Sequence, residues 1–295
     1  LTIFFICLLL FLLGSGVWVA LSMIAVSAIG MILFTTRPVG DAMATTIWGT
    51  SSSWSLTALP LFVWMGEILF RTKLSENLFK GLSPWLSKLP GGLIHVNVIG
   101  CALFAAISGS SAATVATVGK MSIPELRKRK YPEKLLLGSL AGSGTLGLLI
   151  PPSIILIIYG VTIEDSIAKL FMAGIFPGIM IALIFMSYVV IWSIINKNLM
   201  PKIKENFSLS KKIKQSKQLL PVIILIISVI GSIYTGVATA TEAASLGVVG
   251  ALFLSFFQGT LNLKTFELSL LGATKTSCMI AFILAGSTFL SLAMG

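Results

Sequence analysis

Two short polar stretches, each set within an apolar run, hold the residue types that can do chemistry in this chain. One is Ser108-Gly109-Ser110-Ser111; the other is Gly142-Ser143-Gly144-Thr145-Leu146-Gly147, followed by Pro151-Pro152-Ser153. Hydroxyls and carbonyls released from a regular helix are hard oxygen ligands, the kind an alkali cation takes in exchange for its water. Helix N-termini beside them favour anions. The two stretches together suit a sodium ion and a carboxylate, and Thr114, Pro151, Pro152 and Ser153 are candidates for lining the substrate cavity. The competing reading is that small residues merely allow close helix contact. Two clusters at similar depth favour a site.

Length and charge define the elements that must position these residues. The sequence is 56% hydrophobic and 11% charged, with a mean hydropathy of +1.00, which describes an all-α polytopic membrane protein and excludes an ordinary soluble enzyme. A bilayer core takes about 20 helical residues to cross, and the run from Gly92 to Gly119 has about 28, a poor fit to one crossing and too few for two. Lys73, Lys80 and Lys88 precede that run, and Lys120, Arg127, Lys128, Arg129, Lys130 and Lys134 follow it. Basic loops stay cytoplasmic, so both ends lie on one side and 91–120 is expected to be a re-entrant hairpin. Its tip at Ser108–Ser111 is tolerable only inside protein or beside a watery cavity. The Gly and Pro residues of the second stretch interrupt the outward helix over 134–161, giving a discontinuous helix that faces the tip.

Other apolar runs cover 16–34, 56–70, 170–195, 219–234, 241–258 and 276–294, and Leu1–Leu13 reads as a truncated first helix. Placing the basic segments 71–88, 120–134 and 197–217 in the cytoplasm makes every orientation agree. Leu74, Leu78, Leu82, Trp85 and Leu89 describe an amphipathic helix in the inner interface, broken or bent at Pro84. Residues 35–56 read as a periplasmic loop with aromatic anchors. The basic linker 197–218 divides a first repeat, 1–196, from an incomplete second one, 219–295. The first comprises scaffold helices 1–90, the hairpin 91–120, the broken helix 134–161 and a helix 170–195. The two share a helix pattern in opposite orientation, a sign of an inverted repeat whose second copy continues for more than about a hundred residues beyond Gly295.

The net charge of +11 sits mostly in interhelical loops, where it sets topology and meets anionic lipid, so nucleic acid is not an expected partner. Cys7, Cys101 and Cys278 are isolated and lack metal-ligand spacing. Glu67 and Glu242 are the ionisable residues within the membrane, functional candidates by default. Each also has a structural reading: Glu67 pairs with Arg71 at i, i+4, and Glu242 closes a capping box with Thr239. With no carboxylate relay, sodium coupling is expected over proton coupling. His95 with Ser108 raises the rival of an intramembrane serine protease, but thirteen residues along one helix separate them by about 20 Å. A channel is poorly supported by one re-entrant loop. A non-catalytic membrane interaction subunit is the alternative from another class.

Several motifs then align in order: Met65-Gly66-Glu67, Leu89-Pro90-Gly91-Gly92, Ile107-Ser108-Gly109-Ser110-Ser111-Ala112-Ala113-Thr114, Pro124-Glu125-Leu126, Gly144-Thr145-Leu146-Gly147, Ile150-Pro151-Pro152-Ser153, Ala173-Gly174-Ile175 with Pro177-Gly178, and Thr241-Glu242-Ala243-Ala244. Together they resemble the large membrane subunit of tripartite ATP-independent periplasmic (TRAP) transporters. The resemblance implies an elevator-type, ion-transporter-like fold in a bacterial inner membrane and sodium-driven import of a small organic anion, with sodium as coupling ion and no other cofactor. It also implies two partners, a small four-helix membrane subunit and a periplasmic substrate-binding protein, for which the 35–56 loop is a candidate dock. It assigns Ser108–Ser111 to the first hairpin tip and Ser143–Thr145 to the facing loop around one sodium, with Pro151 and Pro152 shaping that loop. Ser143 stands where many members have glycine, and Val237-Ala238-Thr239-Ala240-Thr241 lacks the usual proline. The family's second hairpin and second broken helix would lie beyond this sequence.

Overall fold

The computed structural model describes residues 2–72, 74–201 and 208–295, and all regular structure among them is helical, in fourteen α-helices and three short 3-10 turns. They gather into two compact units, 1–57 with 274–295, and 58–273. In the first unit, α1 (Thr2–Gly14) lies on α2 (Val19–Phe34), with Phe5 seated over Gly30 and Phe4 edge-on to Phe34 at 5.4 Å. The stretch 35–56 is not a plain loop, because it contains α3 (Val39–Ser51). Its threonines explain the misreading. Thr45, Thr46 and Thr50 each return their hydroxyl to a carbonyl four residues back, so polar residues that usually compete with a helix are accommodated inside one.

The second unit carries α4 (Ala58–Phe70), α5 (Leu74–Leu86), α6 (Ile94–Ser108), α7 (Ser111–Lys128), α8 (Glu133–Gly144), α9 (Ile154–Thr162), α10 (Ile167–Ile195), α11 (Leu209–Ser216), α12 (Leu220–Tyr234) and α13 (Ala240–Phe257). The last helix, α14 (Leu263–Met294), begins in this unit and ends in the other. At the centre is α6, with twelve buried residues and α4, α5, α7, α8 and α10 packed around it. Its lack of a polar face is what a helix surrounded by other helices requires. By contrast α10 leaves Phe176, Leu183, Tyr188 and Ile191 exposed, an apolar surface suited to lipid. Among the described residues three helices, α10, α13 and α14, are long and apolar enough to cross a membrane, the pair Val39–Ser51 and Trp54–Phe70, bent by 58°, passes the same test as one span, and α1, α2, α6 and α12 are shorter apolar helices.

Two boundaries differ from the sequence reading. The second hairpin arm continues past residue 120 to Lys128, because the basic segment that marks the cytoplasm is itself helical through Pro124. The 197–218 linker is not wholly a linker. It holds the 3-10 turn Lys197–Leu199 and the helix α11, which packs on α5; residues 202–207 within it lie outside the described residues. The amphipathic helix is present as α5, with Pro84 two residues from its end; Lys73 beside it also lies outside the described residues.

The base of the hairpin is closed by a tight turn in which Gly91 (φ +99°) and Gly92 (φ +53°) adopt the left-handed conformations that glycine allows. Buried His95 holds its ring Nε2 2.7 Å from the Pro90 carbonyl, and the buried Leu93 amide donates to the Tyr131 hydroxyl at 3.0 Å. Leu93, Ile94, Leu126, Tyr131, Leu136 and Val189 surround this point as one apolar cluster. Tyr131→Phe keeps the ring and strands the Leu93 amide, so it is expected to lower stability by about 1–3 kcal/mol. Thermal unfolding of the purified protein checks this; an unchanged transition would mean that the amide finds another partner.

Candidate functional site

The hairpin reverses over two residues, Gly109 and Ser110. Gly109 closes α6 in the left-handed conformation (φ +57°), its amide donating to the Ala105 carbonyl at 3.0 Å. Ser110 then opens α7 as its N-cap, accepting from the Ala113 amide. Ser108 stabilises the turn from inside. Its hydroxyl lies 3.0 Å from Thr114 Oγ1 and accepts from the Ser110 amide at 3.3 Å.

The second stretch breaks its helix as its composition requires. After α8 ends at Gly144 the chain tightens into a 3-10 turn, Thr145–Leu148, leaves helical geometry through a cis Pro151–Pro152 bond, and restarts as α9 at Ile154. Leu146 anchors the break in a buried cluster with Val98 and Ala105 of α6. Ser153 is fully buried and donates its hydroxyl to the Leu148 carbonyl at 2.8 Å.

These two interruptions touch. The Ile154 amide donates to the Gly109 carbonyl at 3.4 Å. A Cβ on Gly109 would lie 2.8 Å from the Pro152 carbonyl oxygen, and one on Gly147 would lie 3.1 Å from the Ser111 amide nitrogen. Val115 fills the space over Gly144, where a Cβ would sit 2.0 Å from its Cγ2. A third wall comes from α4, where a Cβ on Gly66 would meet the Ser108 Cα at 2.9 Å. Gly66 has no place among the site residues read from the sequence, because its contact with Ser108 is long-range.

Ser108, Gly109, Ser110, Ser111, Thr114, Gly144 and Pro152 are thus brought into one neighbourhood. Two of the expected ligands turn elsewhere with their side chains. Ser143 is buried against α6, its hydroxyl donating to the Ser139 carbonyl at 2.6 Å and lying 3.4 Å from the Asn97 carbonyl. Thr145 donates its hydroxyl to the Gly142 carbonyl at 2.7 Å. Ser111 is different, because its Oγ is buried without a hydrogen-bond partner, as is Thr117 Oγ1 further along α7. A stranded buried hydroxyl costs about 1–3 kcal/mol, so a group that bonded Ser111 Oγ would recover that cost. The α7 and α9 N-termini also converge here, and their partial positive charges favour an anion.

The carboxylates take the structural roles their spacing suggested. Glu67 pairs with Arg71 at 3.1 Å, and Arg71 also donates to the Leu268 carbonyl at 3.1 Å, tying α4 to the start of α14. Gly272 leaves room for the Glu67 carboxylate, which a Cβ there would meet at 2.6 Å. Glu242 and Thr239 form a complete capping box at the start of α13. His95 and Ser108 occupy opposite ends of α6, so they form no proton-transfer pair. Among the described residues no three His, Cys, Asp or Glu side chains gather to hold a metal ion, so any ion at the tip would meet hydroxyl and carbonyl oxygens.

Gly109→Ala forces alanine to a positive φ and drives its methyl toward Pro152. A loss of about 1–3 kcal/mol is expected, read as a lower melting temperature of the purified protein. Gly138→Ala in α8, where a Cβ meets nothing within 4 Å, is the control and should leave the transition unchanged or raise it. Equal effects of the two would remove the claim that the tip is sterically closed.

Comparison with known proteins shows the family of the chain. The family described as "Tripartite ATP-independent periplasmic transporter, DctM component" matches residues 5–295. The chain is 34% identical over 262 residues to the C4-dicarboxylate TRAP transporter large permease protein DctM of Pseudomonas aeruginosa, covering 88% of this chain and 60% of that protein. It is 33% identical over 280 residues to the sialic acid TRAP transporter large permease protein SiaM of Vibrio cholerae, covering 94% and 64%. With the 2,3-diketo-L-gulonate TRAP transporter large permease protein YiaN of Escherichia coli the identity is 32% over 246 residues, covering 83% and 57%. This chain therefore spans less than two thirds of the length of these curated relatives. It belongs to the DctM family of tripartite ATP-independent periplasmic transporters, multi-pass permeases of the bacterial inner membrane and not enzymes.

Proposed function

We propose that this chain forms part of a sodium-coupled importer of a small carboxylate-bearing solute. The observation that carries the reading is the junction of hairpin tip and helix break around the unpartnered Ser111 hydroxyl. An ion held by that hydroxyl, by carbonyls of the Ser108–Ser110 turn and by carbonyls of Ser143, Gly144 and Thr145 would satisfy a buried oxygen and add a positive charge at the tip. That charge, together with the convergent N-termini of α7 and α9, would then attract a carboxylate beside the ion. Thr114, Pro151, Pro152 and Ser153 would border that anion. Sodium then acts as cargo that makes anion binding favourable, which is the thermodynamic content of coupling.

In this reading the hairpin domain moves against the scaffold formed by the peripheral helices as an elevator, and the chain is one part of an inverted repeat. The substrate reaches it from a periplasmic substrate-binding protein, and a small four-helix membrane subunit completes the membrane assembly. The names of the three relatives support an organic acid as solute, since all specify one that carries a carboxylate.

Uptake by the complete transporter in proteoliposomes, with its binding protein, tests this directly. Labelled succinate, sialic acid and 2,3-diketo-L-gulonate are offered under a sodium gradient, and again with potassium in its place. At least one anion should accumulate only with sodium, and Ser111→Ala should lower that uptake by about tenfold or more. Equal accumulation in potassium, or none of the three anions transported, would reject the proposal.

A further inference from the structure

The 197–218 segment does more than join two halves. Its helix α11 is held to α5 by two contacts on one side chain: the Trp85 indole N–H donates to Ser216 Oγ at 2.7 Å, and the Lys212 ammonium sits 5.1 Å from the centroid of the Trp85 ring. Just beyond, Leu219 fills the space beside Gly81 of α5, where a Cβ would meet its side chain at 2.6 Å. The helix is thus fixed in place, yet its apolar residues are not used for the fixing. Leu209 and Ile213, one turn apart, are 70% and 56% exposed, and Trp85 itself is 50% exposed.

A helix that leaves its own apolar pair uncovered needs another apolar medium. The position of α11 supplies one. It ends at Ser216, and the apolar helix α12 starts at Leu220, so α11 stands at the polar end of an apolar helix. Lys212, Lys214 and Lys217 alternate with that apolar pair, giving a basic amphipathic helix whose side chains fit the headgroup boundary, with lysine stems along the acyl region and ammonium groups at the phosphates.

We propose that the α5–α11 pair is a binding surface for anionic phospholipid of the inner leaflet. Leu209, Ile213 and Trp85 enter the acyl boundary, and Lys212, Lys214 and Lys217 bind the headgroup phosphates. The occupant is lipid rather than a soluble anion because the charged and apolar groups share one short helix at the membrane boundary, and each lysine near an anionic surface adds its own increment of attraction. The inference is independent of sodium coupling.

The test uses the purified full-length permease in neutral detergent, with dioleoyl phosphatidylglycerol or dioleoyl phosphatidylcholine added at equal amounts. Phosphatidylglycerol is expected to raise the melting temperature about 3–5 °C more than phosphatidylcholine, by mass action on the folded state. That difference should shrink at about 0.5 M salt, and it should vanish in the Lys212→Gln, Lys214→Gln, Lys217→Gln triple variant. Inorganic phosphate at the same concentration should give no comparable rise. Equal stabilisation by the two lipids, a difference that salt leaves intact, or a difference retained by the triple variant would each overturn the proposal. Should the triple variant not fold, the salt series on the unaltered protein still decides.

Discussion

A chain that reverses between two packed helices leaves backbone groups at its tip that the surrounding protein must satisfy. Everything around residues 108–111 answers that constraint. The turn satisfies part of it internally, through the Gly109 amide and the Ser108 hydroxyl, and α9 satisfies another part by donating the Ile154 amide to the Gly109 carbonyl. Helix α9 can do so only because its own helix has been broken and restarted at this depth. Each interruption is costly alone, and each supplies what the other lacks.

Close approach is the means by which they meet. Glycines stand where α4, the 3-10 turn and α8 press on the hairpin: Gly66 against the Ser108 backbone, Gly147 against Ser111, Gly144 beneath Val115. Further along the hairpin Gly119 admits Leu140 of α8, whose Cδ2 would be 2.8 Å from a Cβ there. Without a hydrophobic driving force between helices in lipid, such backbone proximity and the dispersion contacts it permits do much of the holding. These small residues thus do what the packing reading requires, and the proposed site would share them.

Much of this was legible in the residues. The hairpin, the broken helix, the Glu67–Arg71 pair and the Thr239–Glu242 box all follow from spacing and composition, because periodicity and capping are local properties. What escaped is long-range or depends on side-chain direction. Thr-rich α3 read as loop, since local composition does not show that each hydroxyl will bond back within the helix. Ser143 and Thr145 have the right chemistry, but only the turn of α8 into its 3-10 segment decides that Ser143 faces Asn97 on α6. Gly66 is 42 residues from Ser108 in sequence, and no local pattern announces that pairing. The basic linker looked like a spacer because lysine density hides the two apolar residues that make α11 amphipathic.

The central claim is that hairpin tip and helix break form one polar unit that takes up a cation through the Ser111 hydroxyl. Direct binding of radioactive sodium to the purified full-length permease, compared between the unaltered protein and Ser111→Ala, tests it most closely. Saturable binding that excess potassium does not displace, weakened about tenfold or more in the variant, is the predicted result. Sodium binding of the same strength in both proteins, or displacement by potassium as readily as by sodium, would contradict it.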